Sequence, residues 1–149
     1  MHVRTSISIF STLVAIAAAQ NNACTGDKNT IGYCTTLTYI DRTTTSTDPP
    51  TVQDCYDACR GVLSDAGDWG VDFRGKPATY RQNMVGYPCG FSIGRAPGQP
   101  TDYYFSMHNQ DIVDILDEVN RRFAPAHGGK AAAEGVVECE GFNATWYVT

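Results

Sequence analysis

Two histidines, two carboxylate pairs and six cysteines are the side chains of this 149-residue sequence whose types and spacing could do chemistry. General acid and base cleavage of RNA needs a histidine working with a second histidine or a glutamate, and an arginine on the phosphate. His108 and His127 are the candidates, since His2 falls in an N-terminal leader. They flank a helical stretch, which puts them roughly 20 Å apart at 1.5 Å per residue, too far for one active site. Asp117-Glu118 and Glu138/Glu140 are the places to look for a glycosidase pair. The first pair reads as the solvent side of that helix and the second alternates along a strand around Cys139, so both are expected to be solvated charge. The G-x-S-x-G, phosphate-loop and H-E-x-x-H patterns are absent. The expectation is a chain with no catalytic residue and no cofactor.

Cys24, Cys34, Cys55, Cys59, Cys89 and Cys139 include one Cys-x-x-x-Cys, with neither Cys-x-x-Cys nor closely paired histidines beside it, so the spacing argues against zinc or another metal. The N-terminus indicates the compartment. Arg4 precedes an apolar run from Ile7 to Ile16 and then Ala17-Ala18-Ala19, which reads as a signal peptide over residues 1–19 cleaved before Gln20. Ser8, Ser11 and Thr12 interrupt the run, which is too short to span hydrocarbon, and no later segment is a membrane candidate. The remaining 20–149 then form one secreted domain, and six cysteines in such a domain read as three disulfides with fifteen possible connectivities.

The elements that must position these groups follow from periodicity. Tyr33 to Ile40 is β-branched and aromatic, a strand, and the threonine-rich Asp41 to Thr47 is a loop. Val52, Cys55, Cys59, Val62 and Leu63 share one helical face behind the start signal Asp48-Pro49-Pro50-Thr51, with Gly67 as the stop. Cys55 and Cys59 therefore point the same way one turn apart, which favours different disulfide partners, Cys89 being one. Trp69, Val71 and Phe73 alternate as a strand; Tyr87, Cys89, Phe91 and Ile93 form another, with the loop Arg74 to Gly86 between them. Tyr103 to Met107 is a possible short strand. Ile112, Ile115, Leu116, Val119 and Phe123 mark a second helix capped by Asn109, and Val136 to Val148 a last strand with a bulge at Gly141. The resulting βαββαβ order predicts an α+β, ferredoxin-like (split βαβ) sandwich, an antiparallel sheet with both helices on one face.

Charge is unevenly distributed. Loss of the leader removes Arg4 alone, leaving ten basic against sixteen acidic groups, a balance that disfavours general nucleic-acid binding. Yet no acid occurs between Asp72 and Asp102, where Arg74, Lys76, Arg81 and Arg95 stand among Tyr80, Tyr87 and Phe91. Arg74, Lys76, Tyr80, Arg81 and Arg95 are therefore the candidate partner-binding residues, suited to an anionic or carbohydrate surface or a partner protein. Asn143-Ala144-Thr145 is an N-glycosylation triplet, with Asn143 expected on the outward face of its strand.

The leader, the six cysteines, Cys55-x-x-x-Cys59 on the first helix and the βαββαβ order over Tyr33 to Val148 resemble small secreted fungal effectors with the killer-toxin-like αβ fold. The resemblance implies a non-enzymatic virulence factor that binds a host target protein or surface, in some relatives together with a second secreted protein and with later passage into host cells. It equally implies a toxin against competing microbes, and a small ribonuclease-like enzyme is the alternative from another class. No catalytic residue carries over. The Arg74–Gly86 loop is long for the compact toxins, and no internal Lys-Arg processing site is present.

Overall fold

The computed structural model describes residues 21–65 and 67–149. The expected signal peptide over residues 1–19 and its expected cleavage before Gln20 lie outside the described residues. The elements are β1 (Cys34–Thr36), β2 (Ile40–Asp41), α1 (Val52–Ser64), β3 (Asp68–Asp72), β4 (Arg81–Val85), β5 (Phe91–Arg95), β6 (Tyr104–His108), α2 (Asn109–Phe123), β7 (Ala133–Cys139) and β8 (Phe142–Val148). The main sheet has the order β1-β7-β8-β5-β4, with β2 also on β7, and β3 pairs with β6 in a separate sheet. Every pairing is antiparallel. No described helix is long and apolar enough to cross a membrane.

The α+β class holds, but in place of the split βαβ order the described residues form eight strands in two sheets. The Val136–Val148 strand is a hairpin: Glu140 and Gly141 both adopt positive φ, 52° and 84°, and turn the chain so that Cys139 faces Phe142. Such a pair of left-handed residues makes the tight two-residue turn whose twist matches the strands it joins. The Arg74–Gly86 loop contains β4, a polar strand without alternation that is specified by its pairing with β5. Tyr87 and Pro88 belong to the turn before β5, which starts at Phe91. Tyr33–Ile40 is broken into β1 and β2. Leu37 N–H and Thr38 N–H both donate to Val136 O, while Thr38 Oγ1 accepts Val136 N–H at 2.9 Å, a bulge that replaces one ladder bond with a side chain.

Both helices form where the apolar periodicity puts them. Thr51 and Asp54 make a reciprocal capping box at the start of α1. At α2 the cap is His108 rather than Asn109: its Nδ1 accepts Gln110 N–H at 3.1 Å, and Asp111 Oδ2 accepts His108 N–H at 2.8 Å. An imidazole acceptor does the work expected of the asparagine amide. Asp111 also accepts the N–H groups of Tyr33 and Cys34, so one carboxylate orders three amides. Gly32 allows this approach, because a Cβ there would lie 1.8 Å from Asp111 Oδ1.

Three disulfides fasten this framework. Cys55 joins Cys89 and Cys59 joins Cys24, so the two helix cysteines do take different partners, and Cys34 joins Cys139 directly across the β1–β7 ladder. Residues 22–34 are lashed along α2 by Asn22 to Asp117, Asp27 N–H to the Gln110 side chain and Lys28 to Asp114. The core gathers Trp146, Phe73, Phe91, Phe105, Ile112 and Leu116, all fully buried. Gly135 lies beneath Trp146, where a Cβ would meet the indole at 2.5 Å and Thr38 O at 1.9 Å.

Candidate functional site

The acid-free stretch between Asp72 and Asp102 folds across β4, β5 and their flanking loops, and its four cations have different fates. Arg74 grips Asp72 through two bonds of 2.9 and 2.8 Å, and this holds the Asp72 carboxyl at about 2, well below its ordinary value. Arg95 turns inward, with Nη2 donating to the carbonyls of Phe73, Lys76 and Thr101. It therefore ties two loops together and is not part of the exposed surface.

Lys76 and Arg81 are the cations that remain. Neither has a carboxylate partner among the described residues. Lys76 Nζ lies 5.3 Å from the ring centre of Tyr80, and the Arg81 guanidinium stacks 3.4 Å above the ring of Tyr147. Gly94 sits opposite Arg81 in the ladder, where a Cβ would crowd the Tyr147 ring at 3.3 Å and reach ordinary contact with Arg81 Cγ at 3.5 Å. Tyr80 in turn packs edge-on against the buried Phe73, 6.3 Å away, so the platform has a rigid base. Arg81 also borders a polar hollow of about 210 Å³ with Arg42, Thr45, Ser46, Glu134 and Tyr147, in which Arg42 is already paired with Glu134 at 2.5 Å. Cations held over aromatic faces are partly desolvated and fixed in direction, an arrangement that contacts an anionic or hydrogen-bond-accepting partner. Tyr147 was missed from the sequence because it lies 66 residues beyond Arg81; only the ladder brings them together.

The histidines and carboxylates considered for acid–base chemistry each have a definite place in the fold. His108 caps α2 and packs edge-on to Tyr33 at 5.4 Å, while His127 Nε2 lies 2.6 Å from Asp41 Oδ2. The 15 residues of α2, a rise of about 22 Å, and then Ala124, Pro125 and Ala126 lie between the two histidines. Glu118 clamps Arg121 and Arg122, which depress its carboxyl to about 2, and Asp117 accepts from Asn22. These carboxylates are thus engaged rather than merely solvated. Glu138 and Glu140 are exposed on β7 and its turn. No cluster of three or more metal-ligating side chains occurs among the described residues. Asn143 sits on β8, half-buried, with its Oδ1 closed off and unpartnered.

Two antiparallel sheets and two helices under three disulfides define a small, cysteine-rich, disulfide-stabilised protein. The family is given by a family model, Hce2, that describes pathogen effectors to which a necrosis-inducing role is ascribed; it matches residues 33–139, and the chain belongs to that family. Comparison with curated proteins gives no match.

Proposed function

We propose that this protein is a secreted effector that acts by binding a host target through the surface around Lys76 and Arg81, with Tyr80 and Tyr147 as its aromatic base. The observation that carries the reading is the pair of cations set over tyrosine rings, neither in salt-bridge contact with a carboxylate among the described residues, on a chain that is otherwise acidic. Family membership supports the effector role, and three disulfides support an extracellular site of action. The fungal source, the killer-toxin-like fold and cooperation with a second secreted protein belong to the same proposal, as does removal of residues 1–19. Arg74 stands at the rim with its charge balanced by Asp72 and contributes less.

The test is the double variant Lys76→Ser/Arg81→Ser, compared with the parent in a necrosis assay on host tissue and in thermal melting of the same preparation. Melting should stay within a few degrees, because only the stacking contacts are lost. Activity should fall about tenfold or more, the effect of roughly 1.4 kcal/mol of binding. Full activity in the folded variant would move the target surface elsewhere. Incubation with RNA addresses the ribonuclease alternative, for which the engaged histidines give no support.

A further inference from the structure

A groove runs along the outward face of α1, between that helix, the start of β3 and the end of β4 with its following turn. It measures about 420 Å³, room for one long side chain with its flanking backbone. Trp69, Met84, Val85 and Pro88 make one wall apolar. The helix wall is different: Asp57, Gly61 and Asp65 follow four apart on one exposed face with Asp54 beside them, and no lysine or arginine is among the described lining residues. Arg60 pairs with Asp57 without lining the groove.

Two features of the groove gain a reason from an occupant. Gly61 lies inside α1, where glycine costs stability relative to alanine, yet a Cβ there would meet nothing within 4 Å and the backbone is not left-handed. Gly86, on the turn that forms the other wall, is equally open. Neither packing nor backbone conformation calls for these glycines, but bare walls let a visiting chain come close. The second feature is electrostatic: α1 has no basic residue in its last turn and takes Asp65 as its C-cap, where the helix dipole favours cations. α2 shows the matched arrangement, closing on Arg121 and Arg122. An anionic group would be repelled here, a neutral chain would leave the carboxylates unanswered, and a small hydrated cation would gain nothing from the apolar wall. Lysine and arginine carry an apolar stem and a cationic head, so they suit both walls at once.

We infer that the groove between α1 and the end of β4 is a docking site for a lysine or arginine side chain of a polypeptide partner, its stem along Trp69 and Met84 and its head at the Asp57 and Asp65 carboxylates. The choice of a polypeptide rests on the binding role proposed above, and Tyr87, 86% exposed at the rim, offers contact to the flanking chain. The groove shares no lining residue with the hollow beside Arg81, and its charge is opposite.

The test titrates blocked tripeptides, Ala-Lys-Ala, Ala-norleucine-Ala and Ala-Glu-Ala, each N-acetylated and C-terminally methylamidated, into the whole secreted protein. The backbone amide of Gly86 and the methyl signal of Met84 are followed by NMR. The lysine peptide should shift both saturably; the norleucine peptide, which keeps the stem and loses the charge, should bind about fivefold more weakly, and the glutamate peptide should give no shift. Raising salt from about 50 to about 500 mM should erase most of the lysine advantage. Gly61→Leu should raise the melting temperature yet abolish the shifts, because the new side chain has room in the groove and fills it. Asp57→Asn/Asp65→Asn should lower lysine binding to the norleucine level. Lys76→Ser/Arg81→Ser should bind the lysine peptide undiminished, so loss of the cationic surface and loss of this groove are read separately. Equal binding of the norleucine peptide, binding of free butylammonium as tight as that of the lysine peptide, or a lysine response that survives in Gly61→Leu would overturn the inference.

Discussion

The sheet side and the helix side of this protein solve the same problem with different physics. Around β5, β7 and β8 the chain is held by ladder register and by Trp146 seated on Gly135, so position follows from packing. α1 and α2 join the same core through Val62, Ile112, Leu116 and Val119, but the segment 22–34 that runs along them is held by point fastenings: Cys24–Cys59, the Asp111 bonds and the Asn22–Asp117 contact. A packed region fails as a whole, whereas a fastened one loosens locally. The exposed cations stand on the first kind of support and residues 22–34 on the second.

The sharpest way to break this distinction is to remove one fastening. Cys24→Ala with Cys59→Ala opens a loop of sequence separation 35 and should lower unfolding free energy by about 4 kcal/mol on the chain-entropy estimate, read by denaturant titration. Hydrogen exchange should rise along residues 22–34 while β5, β7 and β8 stay protected. Uniform deprotection would mean that the two sides are one unit. Gly135→Ala should do the reverse, costing about 3 kcal/mol and deprotecting both sides together, because its Cβ would collide with Thr38 O and the Trp146 indole.

The smallest effect is electrostatic. Each side carries one carboxylate held at about 2 by arginine, Asp72 by Arg74 and Glu118 by Arg121 and Arg122. A carboxyl depressed on folding contributes stability that is complete above its unfolded value near 4.5 and is lost as pH falls towards 2. Glu118→Gln should therefore flatten the stability profile between those limits, and, since the pairs are solvated, the change should be below about 1 kcal/mol. Chemical denaturation at pH 5 and pH 3 measures it. An equal loss at both pH values would assign Glu118 a role in packing instead.

How much was legible in the sequence depends on whether local pattern or distant contact decides the element. The helices were readable because their stripes are longer than any competing signal, and the facing of Cys55 and Cys59 followed from helical geometry alone. The β7–β8 turn was hidden because Glu140-Gly141 lacks the usual asparagine or aspartate signal, although Gly141 occupies the second left-handed position. β4 was hidden because Arg81-Gln82-Asn83-Met84-Val85 has no apolar alternation and becomes a strand through β5. His108 displaced Asn109 as the cap because Asp111 closes a reciprocal box with it. Of the candidate surface, the charge segregation was visible, but Arg95 could not be recognised as a tie without its three carbonyls.

Cys34–Cys139 closes a covalent ring over a sequence separation of 105. Any single peptide bond cut between these two residues leaves both pieces attached through sulfur, and this span includes β4 with its flanking loops and the acid-free surface. A molecule nicked once in this span therefore keeps all its elements in one covalent body, gaining only a water. Separating the pieces requires a second cut or a reductant.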